Sequence, residues 1–185
     1  TISAEGHYEF IDVPQASYNL VIEKRGYGWR YLFNVDGTEE LETVTLVREI
    51  RQAGVLDSYT EWPAYQHVVV TGTITVPGNG ALLVDKGAVV RFDGNYRING
   101  DGQINCFGSA NDPVWFTSNT VGEYETQTYW AGINLSEAGT FKDVKMDYAK
   151  IALSVRSSTL TLERGVFAQI NDTGIFASNE SVVDI

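Results

Sequence analysis

From Val68 to Ser118 the chain alternates apolar and polar residues in short runs separated by glycine, asparagine and aspartate. Ile74 and Val76 alternate with Thr73 and Thr75, Val90 and Phe92 with Val89 and Arg91, and Ile104 and Cys106 with Gln103 and Asn105. Successive side chains of a strand point to opposite faces, so a period of two with one apolar side predicts half-buried β-strands. Pro77-Gly78-Asn79-Gly80, Asp93-Gly94-Asn95 and Gly100-Asp101-Gly102 close the runs with residues suited to turns and to positive φ.

Further along, AGINL, KIALSV and TGIFAS place Leu135, Leu153 and Ala177 at similar points, with FKDVKMDYA and LTLERGVFA between them. The spacing is roughly 19–23 residues, which suits one coil of a chain winding on itself. It disfavours the alternative, an antiparallel β-sandwich. The inward set predicted by the alternation is Val90, Ile98, Ile104, Val114, Phe116, Ile133, Leu135, Val144, Met146, Leu153, Leu160, Leu162 and Ile175. Ser181 to Ile185 begins another strand.

Residues 1–48 follow a different pattern. Tyr8/Phe10 and then Tyr18/Leu20/Ile22 alternate across a Val13-Pro14 turn, a hairpin-like arrangement. Trp29 to Val35 and Leu41 to Val47 predict two more strands, separated by Asp36-Gly37. In the connector, Arg48 to Gly54 suits one or two helical turns stopped by Gly54, and Pro63 prevents a helix from continuing into the next strand. This segment is expected to cap the first coil.

Two family resemblances follow from these residues. Gly6-x-Tyr8-x-Phe10-x-Asp12-Val13-Pro14, Tyr18-x-Leu20 and Gly26-Tyr27 resemble carboxypeptidase regulatory-like domains, small β-sandwiches related to transthyretin and Cna-B folds. Ser17 stands where that family usually has glycine, and its earlier strands do not precede Gly6, so the resemblance implies a partial sandwich completed by upstream residues or by another chain. Val70-x-Gly72-x-Ile74-x-Val76, Leu82-x-Val84-x-x-Gly87-Ala88-Val89-Val90-x-Phe92, Asp112-Pro113-Val114-x-Phe116-Thr117-Ser118 and Trp130-x-Gly132-Ile133-x-Leu135 resemble bacterial secreted right-handed parallel β-helices. The expected fold is therefore all-β: a partial sandwich over 1–48, a linker or cap over 49–67, and a right-handed parallel β-helix over 68–185, incomplete at its C-terminal end.

The net charge of −11 argues against nucleic acid and anionic membrane surfaces as partners. No apolar run approaches the ~20 residues that span a bilayer as a helix. The single cysteine, Cys106, excludes an internal disulfide and alternates as a buried thiol.

Asp143, Lys145 and Asp147 alternate with Val144 and Met146 and are expected on one solvated outward face, with Glu163 and Arg164 on a neighbouring segment. The resemblance gives these residue types a meaning. Polysaccharide lyases on β-helices use acidic residues for calcium and a Lys or Arg base, and galacturonidases on this fold use clustered aspartates. Four residues along a strand is roughly 13 Å, however, too far for a glycosidase pair, so the face is expected to be a mixed-charge surface with small pKa shifts.

His7 and His67 lie in different segments and imply neither zinc nor a triad; no metal is assigned. Asp93-Gly94-Asn95 and Asp101-Gly102 offer oxygens of the kind calcium takes, but turn chemistry accounts for them. The aromatic residues Tyr27, Trp29, Tyr31 and Phe33 share one strand face, and Tyr124, Tyr129 and Trp130 form another group. Exposed, Tyr27, Trp29, Tyr31, Tyr124 and Tyr129 would stack on sugars or dock a protein; buried, the first group forms a sandwich core. Gly122 to Thr128 is a polar insertion between coils, and Asn134, Asn171 and Asn179 head glycosylation sequons that a bacterial protein would use as turns.

These features predict a non-catalytic structural or adhesive module of a larger bacterial surface or secreted protein, outside the cell or on its surface. Its partners would be flanking domains, neighbouring chains or a polysaccharide. The alternatives are a carbohydrate-active β-helix (lyase or hydrolase) and a subunit of a surface filament or layer.

Overall fold

The computed structural model describes residues 14–22, 24, 26–37, 43–119 and 128–185. All regular structure among them is β. Strands β1 (Ser17–Ile22) and β2 (Arg30–Asp36) form a two-stranded antiparallel sheet. The remaining strands belong to a parallel β-solenoid of about six turns. Its first coil holds β3 (Ile50–Val55) and β4 (Tyr59–Trp62), and its second β5 (His67–Val76) and β6 (Ala81–Asp85). The third is β7 (Val89–Phe92), β8 (Arg97–Gly100) and β9 (Gln103–Phe107). The fourth is β10 (Val114–Ser118), β11 (Gly132–Leu135) and the first half of β12 (Gly139–Asp147). The fifth takes the second half of β12, β13 (Ile151–Arg156) and the first half of β14 (Thr159–Ala168). The sixth takes the rest of β14, β15 (Thr173–Ser178) and β16 (Val182–Asp184).

The coils stack into three walls, each a parallel ladder. On the first wall Val68, Val90, Phe116, Met146 and Phe167 lie over one another. On the second wall the column is Ile74, Ile98, Ile133, Leu153 and Ile175. On the third it is Leu82, Ile104, Gly139, Leu160 and Val183. Like side chains thus meet at the rung spacing of ~4.8 Å, and the three inward columns fuse into one core. Each fully buried aliphatic side chain contributes about 1.5–3 kcal/mol. The expected inward set is buried, with Ile175 half-buried against the core, and Cys106 is buried too. Burial alone pushes the Cys106 thiol pKa far up, which keeps it unreactive.

Two strands are long because they serve two walls. Strand β12 bends at Asp143 and β14 at Arg164, both with positive φ. The ladder between them runs Lys142 to Glu163 and resumes at Val144 to Gly165, so Asp143 and Arg164 are matched corner residues. Tyr148 and Gln169 follow at the next corner, and Ser157 and Asn179 at the third, all left-handed as well.

Several expectations are corrected. Arg48 to Gly54 is not helical: Ile50–Val55 is a strand paired in parallel with β5. Residues 49–67 carry β3 and β4, which pair with β5 and β6 as the first rung. Leu153 stacks on Ile133, while Leu135 takes Val155, one strand period away from the expected match. The N-terminal sandwich is not confirmed: the described residues there give one antiparallel pair, and Tyr8 and Phe10 lie outside them. Described residues 43–47 form no strand, leaving the fourth expected one unformed there.

Candidate binding pocket on the first wall

The outward side of the first wall alternates with the core. Trp115 pairs with Val89 and with Lys145, so His67, Val89, Trp115 and Lys145 form one outward column. On the early coils this side is covered. Val69 and Val89 are buried, yet they do not belong to the core cluster. Their cover is the chain around residues 26–30 and 47–49. Gly28 N–H donates to Val47 O at 2.8 Å, Glu49 N–H to Gly26 O at 2.9 Å, and Gln66 Nε2 to Arg48 O at 2.6 Å.

Under this cover lies His67, fully buried and edge-on to Trp29 at 4.4 Å between ring centroids. Gly28 packs on the same imidazole so closely that a β-carbon there would overlap the ring. Arg91 lies 4.8 Å from the Trp29 ring centre and is ion-paired to Glu49. Burial, with Arg91 adding to it, lowers the His67 pKa to about 4. A Trp29 backbone contact opposes this, but falls short of a full hydrogen bond.

Where the cover stops, the wall opens into a cavity of about 300 Å³. Trp29 and Arg30 form one side, Val89 and Trp115 the wall, Tyr65, Gly87 and Pro113 the corner, and Asn111, Asp112 and Lys145 the rest of the lining. This is the lower end of the size range of small-ligand pockets, with the usual mix of aromatic walls and few polar groups. Arg30 lies 3.4 Å over the Tyr65 ring, and the Tyr65 hydroxyl donates to Asp112 Oδ2 at 3.3 Å. Lys145 sits 4.1 Å over Trp115, whose Nε1–H donates to Asp147 Oδ2 at 3.0 Å.

The three charged candidates therefore separate. Asp143 does not share an outward row with Lys145 and Asp147; the corner turns it away. It is buried and accepts two hydrogen bonds from Arg164, at 2.6 and 2.8 Å. The Arg164 guanidinium holds its carboxyl below the usual range, against the burial cost. The expectation of one shared solvated face is corrected here. Asp147 is also buried, beneath Trp115 and 3.4 Å from Lys145 Nζ.

Of the aromatic candidates among the described residues, only Trp29 lines the cavity. Tyr27 bridges to Arg48 with Lys24 over its ring, and Tyr129 packs on Tyr148 at 6.4 Å. Tyr124 and the side chain of Tyr31 lie outside the described residues. Asp93, a calcium candidate, accepts from Asn119 Nδ2. Among the described residues no group of three or more His, Cys, Asp or Glu side chains is placed to hold a metal.

Sequence reasoning passed over Trp115, Tyr65, Arg30 and Asp112 as site residues. For Trp115 the signal was present: with Val114 and Phe116 inward, the indole between them must point out. No protein-family model, curated protein or solved structure matches this chain.

Proposed function

We propose that the chain is a non-catalytic structural or adhesive module of a larger bacterial surface or secreted polypeptide, and that the first-wall pocket is where it holds a glycan. The observation that carries this reading is the way the outward carboxylates are committed. Asp143 is clasped by Arg164, and Asp147 lies beneath Trp115 and beside Lys145. Sugar-chain hydrolysis requires two ionisable groups facing one bond at a defined separation. What meets a ligand here is instead the ring surface of Trp29, Tyr65 and Trp115 with a few polar groups, a combination suited to a sugar's apolar face and hydroxyls. The extracellular, bacterial setting rests on the sequence resemblance.

Wild-type protein is expected to release no unsaturated or reducing product from pectin, alginate or a glycosaminoglycan. In a glycan-binding screen, Trp115→Ala is expected to weaken binding at least about tenfold, or ~1.4 kcal/mol, whereas Asp143→Ala leaves it unchanged. Turnover that disappears in an Asp143→Ala, Lys145→Ala, Asp147→Ala triple variant would promote the carbohydrate-active reading. The filament reading draws on the exposed apolar residues Val166, Phe176, Val182 and Ile185 of the last coil. It requires growth in size with concentration, which light scattering measures.

A further inference from the structure

The cover over the early coils is held by a small set of groups centred on one imidazole. His67 is fully buried, Trp29 and Gly28 pack directly on its ring, and neither ring nitrogen has a hydrogen-bond partner among the described residues. We infer that this is an acid-sensitive latch: protonation of His67 releases residues 26–30 and 47–49 from the first wall while the coils beneath remain folded. That release also withdraws Trp29 and Arg30 from the side of the pocket, a consequence for ligand binding that rests on the reading above; the latch itself does not.

The argument is one of accommodation. An imidazolium presents two N–H donors and a full charge. At His67 it would meet the Trp29 ring, the Gly28 backbone and the like charge of Arg91, and the Trp29 backbone contact that favours the charge falls short of a full hydrogen bond. The other charged groups around it are Arg51, beside Val69 on the adjoining rung, Arg30, which follows Trp29, and Glu49, already paired to Arg91. The cheapest way to hydrate the charge is to lift the cover. Beneath it, Val68, Val70, Val90 and Phe92 point into the solenoid core and do not depend on it.

The sign follows from linkage. The closed-state pKa of about 4 lies below the ordinary value, so the open state binds the proton more tightly. Closure is strongest above about pH 6.5 and weakens as pH falls through the window down to about 4, by up to about tenfold per pH unit for one proton.

Hydrogen exchange at the Gly28 and Glu49 amides, corrected for intrinsic rates, is expected to lose protection with that slope between about pH 6 and 4. Amides of β8 and β11 should keep theirs. In His67→Phe, which keeps a flat ring and removes the proton site, the slope should vanish; in Glu49→Gln it should persist. If His67→Phe does not fold, the wild-type His67 titration by NMR decides the matter. A midpoint near 6.5 with the Gly28 amide still protected would overturn the latch. So would an unchanged slope in His67→Phe or a lost one in Glu49→Gln.

Discussion

Gly132→Ala is expected to lower the denaturation midpoint more than any other single substitution considered, with a loss on the order of 4 kcal/mol or more in urea titration. Gly132 opens β11 with φ of 106°, a conformation that L side chains rarely adopt. Its missing β-carbon also leaves room for the Ile151 carbonyl of the next coil, and a methyl group would overlap that oxygen. The obstacle is backbone in a ladder, where Ile133 pairs with Leu153 and Asn134 with Ser154, so no side chain can yield. Gly174→Ala is the control: its β-carbon would meet Phe167 at an ordinary 3.8 Å, and the cost should stay within about 1 kcal/mol. Equal effects at the two glycines would show that the fourth and fifth coils do not approach as described.

The second large effect belongs to Trp130. Its ring stacks on Phe92 at 4.2 Å and 6° between planes, Phe116 lies 6.2 Å away, and Nε1–H donates to Asp147 O at 2.8 Å. Trp130→Ala would leave the largest cavity at the junction of the third and fourth coils and strand that carbonyl, at a cost of ~3–5 kcal/mol. The near-UV circular dichroism should flatten before the backbone signal changes. Asn134→Ala, on the outward side of β11, loses a 3.2 Å hydrogen bond to Asn99 and should cost about 0.5–1.5 kcal/mol. Comparable losses at Trp130 and Asn134 would reverse the inside and outside of the solenoid.

These contrasts mark what alternation can and cannot convey. Val90, Phe116 and Ile133 are legible because each sits in a strand whose two sides differ in polarity, and an inward residue needs no knowledge of its neighbour. Strand β3 was not legible. IRQAGV has almost no buried side, and only the ladder with β5 makes it a strand. Asp143 was misplaced for a related reason. The pattern KDVKMD continues unbroken through a corner, while the backbone turns there on a left-handed aspartate. An aspartate inside an alternating run is a weak mark of positive φ, and the compensating partner, Arg164, lies a full coil away. The pocket is harder still. Trp29 and Trp115 are distant in sequence, and they meet because a segment outside the repeat lies across the coils.

The stacking direction has a mechanical consequence. In a parallel solenoid the interstrand hydrogen bonds run along the long axis, so tension applied end to end loads them in line, at three ladders per junction. Because each coil rests only on its neighbours, rupture at one junction leaves the others intact. Stretching should then proceed in discrete steps, each freeing roughly 20 residues and lengthening the chain by about 70 Å. The protein would act under load as a ratchet of equal links that pays out slack one coil at a time.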